Sequence, residues 1–216
     1  VAGRMWQAGA RYRVPAPSSH NGLGVRDMAI ELDLLHPVTD EELWRLSERN
    51  PGYQFERTAD GRLVVSPTGS KSDWRSVEIA YQLRRWNEQR GLGVVFGSSA
   101  GFRLPDGSVL SPDASWVRRE RWERLSPEEQ EGFAPLCPDA VVEIRSPSQT
   151  PQELREKMRA YLRNGAQVGV FIDPYTQTVE VYRPGRERER HEDPERVALD
   201  PGLPGFVLEL GPVFEE

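Results

Sequence analysis

A chain of 216 residues with a formal net charge of −6 and 29% charged residues is long enough for one domain with a full hydrophobic core. No apolar run approaches the length of a membrane span, which excludes an embedded chain, and the acidic balance argues against nonspecific coating of nucleic acid. The single cysteine, Cys137, excludes an internal disulfide and, with only His20, His36 and His191 beside it, makes no familiar zinc spacing, so a soluble cytoplasmic protein is expected.

Residues 1–37 carry Pro15, Pro17, Gly22 and Gly24 without periodicity and are expected to form a partly ordered arm ahead of one domain over 38–216. Thr39-Asp40-Glu41-Glu42 has capping-box form and predicts a helix that Asn50-Pro51-Gly52 stops. Strands from Tyr53 to Arg57 and from Arg62 to Ser66 flank a turn at Ala59-Asp60-Gly61. A longer helix runs from about Ser72 to Arg90, with Ile79, Leu83 and Trp86 marking its apolar stripe. Val94 to Phe96 and Gly101 to Leu104 read as strands, and Asp106-Gly107 turns the chain towards a further strand at Asp113. Residues 118–137 read as an irregular charged excursion, followed by a strand around Glu143.

Thr150-Pro151-Gln152-Glu153 combines a cap, proline at the first helical position and glutamate at the third, and Asn164-Gly165 closes the helix it opens. A hairpin joins Gly169 to Asp173 with Gln177 to Tyr182, the mixed-charge run from Arg186 to Arg196 reads as a solvated loop, and Phe206 to Leu208 is a last strand. This order predicts an α/β (α+β) domain with a mixed central sheet flanked by helices.

Three residues stand out in that frame. Asp113 and Glu143 each sit in a short proline-led strand, in Ser111-Pro112-Asp113 and Pro138-Asp139-Ala140-Val141-Val142-Glu143. Alternation puts Asp139, Val141, Glu143 and Arg145 on one strand face. In the next helix Leu154, Met158, Tyr161 and Leu162 form the core stripe, and Lys157 lies about 60° from Leu154, partly inward. Of the 28 basic residues only Lys71 and Lys157 are lysine. Two carboxylates can hold a magnesium ion that keeps several waters, and a nearby ammonium can stabilise charge developing on phosphate. That is the minimal kit for phosphodiester hydrolysis; the competing reading is a turn acid, a Glu143–arginine pair and a snorkelling lysine.

The stretch from about 39 to 214 resembles the Uma-type family of restriction endonuclease-like proteins, within the PD-(D/E)XK nuclease superfamily. The landmarks are Tyr53-Gln54-Phe55-Glu56, Asp60-Gly61, Ser66-Pro67, Pro112-Asp113, Pro138 to Ile144 with Ser146-Pro147-Ser148, then Lys157, Tyr161, Gly165 and Ile172-Asp173-Pro174. The resemblance implies a restriction-endonuclease-like core and cleavage of DNA dependent on Mg2+ or Mn2+, with Asp113 and Glu143 as metal ligands. It favours Glu56 as a third acid and makes Glu78, on the long helix, a further candidate; it also leaves room for a homodimer. Where the superfamily motif has lysine two residues after the second acid, this chain has Arg145; the Uma-type pattern places a lysine on the following helix, matching Lys157. Lys157 is therefore expected to be the catalytic cation, with Arg145 its competitor.

A nucleic-acid-binding or protein-interaction module without activity is the alternative on the same fold. Gly97-Ser98-Ser99-Ala100-Gly101 matches the serine-hydrolase elbow, but strand and turn residues follow where the elbow needs a helix. Gly91-Leu92-Gly93 follows a helix and precedes a strand, the reverse of a dinucleotide-binding turn.

Overall fold

The computed structural model describes residues 29–215. In chain order these form β1 (Ile30–Leu32), α1 (Asp40–Arg49), β2 (Tyr53–Arg57), β3 (Leu63–Pro67), α2 (Ser70–Arg90), β4 (Gly93–Gly97), β5 (Phe102–Arg103) and β6 (Val109–Leu110). There follow β7 (Ala114–Arg118), α3 (Arg119–Trp122), α4 (Pro127–Glu131), β8 (Ala140–Ile144), α5 (Pro151–Arg163), β9 (Val168–Asp173), β10 (Thr178–Tyr182), β11 (Glu189–Glu192), β12 (Arg196–Ala198), β13 (Val207–Glu209) and α6 (Gly211–Phe214). No helix among the described residues is long and apolar enough to cross a membrane.

A six-stranded sheet in the order β11-β10-β9-β8-β7-β4 organises the molecule, with β8 and β9 its parallel pair. Those two strands are buried at every position, as central strands covered on two faces must be. Period-two alternation then assigns each face a helix. Ala140, Val142 and Ile144 of β8 join Ile79, Leu83 and Trp86 of α2 in one core. Val141 and Phe171 join Leu154, Met158 and Tyr161 of α5 in another. A second sheet, β1-β3-β2-β6-β5, packs Phe55, Leu63 and Val109 against Leu43 of α1. The fold is therefore mixed α/β, with helices on both faces of the central sheet, as the sequence predicts.

The capping boxes at Thr39 and Thr150 form as expected: each threonine accepts from the third helical N–H while Glu42 or Glu153 accepts from the cap N–H. Two expectations need correction. The excursion at 118–137 is not irregular throughout, because Ser126 and Glu129 make a third capping box that starts α4. The charged run after Arg186 is not only loop, since β11 pairs antiparallel with β10 from Thr178↔Glu192 to Val181↔Glu189. As an edge strand with one free side, it tolerates charge at successive positions. The expected arm over 1–37 lies mostly outside the described residues, but Ile30–Leu32 belongs to the second sheet, antiparallel to β3.

Candidate active site

Strand register brings the two acids together. The β7–β8 ladder pairs Ala114 with Val142 and Ser115 with Val141, so Asp113, one residue before β7, stands where the same register meets Glu143. The junction is fixed by hydrogen bonds as well. The Ile144 N–H, next to Glu143, donates to Asp113 Oδ2 at 2.6 Å, and the Ser76 hydroxyl of α2 donates to Oδ1 at 3.2 Å.

Helix α5 supplies the cation. Lys157 and Tyr161, four residues apart on one helical face, both reach Glu143 Oε1, the ammonium at 2.8 Å and the hydroxyl at 2.9 Å. Lys157 Nζ also lies 2.8 Å from Glu56 Oε1 of β2, and that oxygen accepts the Ser111 N–H at 2.6 Å. Glu56 thus ties the lysine to the segment that leads into Asp113. Asp113 and Glu143 line a cleft of about 690 Å³, while Glu56 and Lys157 line a neighbouring one of about 380 Å³; Ser66 and Gln149 border both.

Three carboxyls face one ammonium here, and their ionisation reflects it. Burial pushes the Glu143 carboxyl up to about 8; Lys157 works against that shift, while Asp113 and Glu56 add to it. Burial also raises Asp113, against the opposing Ile144 N–H, Lys157 and Ser76. For Lys157, burial disfavours the charge, yet Glu143 and Glu56 outweigh it and lift the pKa, so the ammonium keeps its proton. Tyr161 is raised by burial and by Glu143, so its phenol remains a donor. Among the described residues Lys157 is the one cation paired with these acids.

Other expected residues are placed elsewhere. Arg145 does not turn to the acids: Nη1 meets Asp173 Oδ2 at 3.0 Å, Nε donates to the Gln149 carbonyl, and the guanidinium lies 5.2 Å from the centre of the Tyr175 ring. Past the end of β8 the strand alternation no longer governs its direction. Glu78 accepts from Gln82 one turn further along α2, and the α2 contact to the site comes from Ser76 instead. The signal was present, since Ser76 sits at the spacing of Ile79 and Leu83, a polar residue on an apolar stripe. Tyr161 likewise reads as core from its spacing, and only the structure shows its hydroxyl on Glu143. Among the described residues no group of three or more His, Cys, Asp or Glu side chains is placed to hold a metal ion, and Glu56 reaches the other acids through its contacts to Lys157 and the Ser111 N–H.

The serine-hydrolase elbow is absent, because β5 rather than a helix follows Gly97 to Gly101.

A family model described as "Uma2: Putative restriction endonuclease" matches residues 40–211. The chain belongs to that family. Among solved structures, a crystal structure from Anabaena variabilis ATCC 29413, titled as a "putative nuclease belonging to DUF820", is similar with a TM-score of 0.65 and 24% identity. The match covers 82% of this chain and 98% of that one. At that identity it shows the shared fold, and the Uma2 match carries the family assignment. No curated protein matches the chain.

Proposed function

We propose that this Uma2-family protein is a divalent-metal-dependent nuclease that hydrolyses phosphodiester bonds in DNA. The observation that carries the reading is the buried cluster of Asp113, Glu143 and Glu56 around Lys157, in which carboxyls outnumber their cation beside a cleft.

The donor set fits magnesium or manganese. Magnesium is usually held by one or two carboxylates, waters and a substrate phosphate rather than by an all-protein cage. Asp113 and Glu143 would hold such an ion. Both contacts to Glu143 fall on Oε1, which leaves Oε2 for a ligand. When bound, the ion would neutralise phosphate charge and lower the pKa of an attacking water.

The chain's own groups do the rest. Ile144 N–H and Ser76 orient Asp113; Tyr161 and Lys157 orient Glu143. An ammonium has three N–H donors, and Glu143 and Glu56 take two, so the third is available to a phosphate oxygen. Because its pKa is raised, Lys157 serves as a fixed positive charge rather than as a base. Arg145, occupied by Asp173 and Tyr175, is a structural clamp in this reading.

The test is cleavage of labelled DNA with Mg2+ or Mn2+, compared between wild type and Asp113→Ala. Metal-dependent cleavage that disappears in the folded variant is expected. Absence of both metal binding and cleavage would leave the inactive-module alternative.

A further inference from the structure

The cleft holding Asp113 and Glu143 is not lined as a duplex-binding groove would be. Among the described residues that line it there is no lysine or arginine, and four are acidic: Glu48, Asp73, Asp113 and Glu143. Lys71, in the first turn of α2, is exposed and lies outside the lining. Proteins that grip duplex DNA neutralise a run of phosphates with basic side chains, and this lining would repel such a run.

What the cleft does present is aromatic surface. Trp44 of α1 is 41% exposed and Tyr53 at the start of β2 is 46% exposed, and both border it. The Trp44 ring is held in place: its Nε1 donates to Glu48 Oε1 at 3.0 Å, and it packs in a T-shaped contact with Phe133, centroids 5.4 Å apart at 70°. A fixed, half-exposed indole beside a phosphodiester-cleaving site suits a base that has lost its pairing partner. The cleft volume of about 690 Å³ falls in the range of pockets that enclose a small ligand, about 300–1,000 Å³.

We propose that the cleft takes an unpaired nucleotide, from a single strand or from a distorted duplex, with its base stacked on Trp44 and Tyr53 and its phosphodiester at Asp113 and Glu143. This rests on the nuclease reading above. The only phosphate charge then needing compensation is that beside Lys157 and the metal ion, so the lining can dispense with arginine.

The experiment measures binding by fluorescence anisotropy, with calcium replacing magnesium, for one labelled sequence as single strand, as perfect duplex and as duplex with a central unpaired bubble. The single strand should bind at least about tenfold more tightly than the duplex, and Trp44→Ala should weaken it by about tenfold, as expected for loss of one stacked base. Trp44→Phe should restore much of the binding, and Tyr53→Ala tests the same wall from another element if Trp44→Ala does not fold. Raising salt from 50 to 200 mM should weaken single-strand binding by less than about tenfold, where a protein contacting six to ten phosphates loses about 10³–10⁵. A bubble bound like the single strand assigns the source to distorted duplex as well; a bubble bound like the duplex restricts it to free strands. Duplex bound as tightly as the single strand, no binding of the single strand, or unchanged binding in folded Trp44→Ala or Tyr53→Ala overturns the proposal. Selective binding without cleavage in magnesium supports it and removes the nuclease reading; cleavage without strand preference does the reverse.

Discussion

Two buried glutamates lie under the same helix and are held in opposite ways. Glu143 on β8 and Glu180 on β10 both face α5, at 2% and 1% exposure. Glu180 receives a two-pronged guanidinium from Arg155, a second guanidinium from Arg188 at 2.8 Å and the Tyr182 hydroxyl at 2.5 Å. Although burial alone would raise its pKa, those partners prevail and the carboxyl is held below its ordinary value of 4.5. Glu143 shares one ammonium with Glu56 and has Asp113 beside it, and its pKa moves up. A carboxylate with surplus cations closes a structure, whereas carboxyls that outnumber their cations beside a cleft hold protons that a bound cation can displace. The choice of cation follows the same division: arginine forks clamp Glu180, and a compact lysine stands at Glu143.

The comparison can be broken by substitution. Asp113→Ala should lower the cleavage rate by about 10³-fold or more, since ion, activated water and charge neutralisation depend on that carboxylate together. Its melting temperature should stay level or rise, because one of three crowded acids is gone; a large loss of stability would make Asp113 structural. Lys157→Met should cut the rate by about 10²-fold or more, while Arg145→Met in a folded protein should leave turnover largely intact. Near-normal cleavage in Lys157→Met, with loss in Arg145→Met, would reverse those roles.

Glu180→Gln should do the opposite of Asp113→Ala. Removing the central acid leaves Arg155 and Arg188 without their partner, and urea unfolding should report a loss below the about 3–5 kcal/mol of a fully buried pair, since both arginines are partly exposed, with activity per folded molecule retained. The smallest effect is on acid stability. Because the folded pKa of Glu180 is depressed, its contribution is complete above the unfolded value near 4.5 and disappears as pH falls through the folded one. Wild-type stability should therefore drop more steeply below pH 4.5 than that of Glu180→Gln, a difference that parallel melts at pH 3 to 6 would show.

Local chemistry was the legible part of this molecule. The caps at Thr39 and Thr150 are written as short motifs, and the strand face shared by Val141 and Glu143 follows from alternation. The third cap, at Ser126, has the same form as the others but is embedded in charged residues that hide its helix. The strand at Glu189–Glu192 is illegible for a related reason: an edge strand needs no apolar face. Within the site, the proline-led acids and the inward lysine could be read along the chain. The contact between Lys157 and Glu56 could not, because it joins helix α5 to the second sheet and depends on how the two sheets meet. Arg145 shows the limit from the other side, as its position promised the site and its pairing with Asp173 took it away.

A manganese-soaked crystal, read by anomalous scattering, tests the central claim most directly. The account predicts one peak within about 2.0–2.5 Å of carboxylate oxygens of both Asp113 and Glu143, with Lys157 still on Glu143 and no peak at Glu180. An empty map at Asp113 and Glu143 at saturating manganese, with the two carboxylates held only by protein groups, would contradict it.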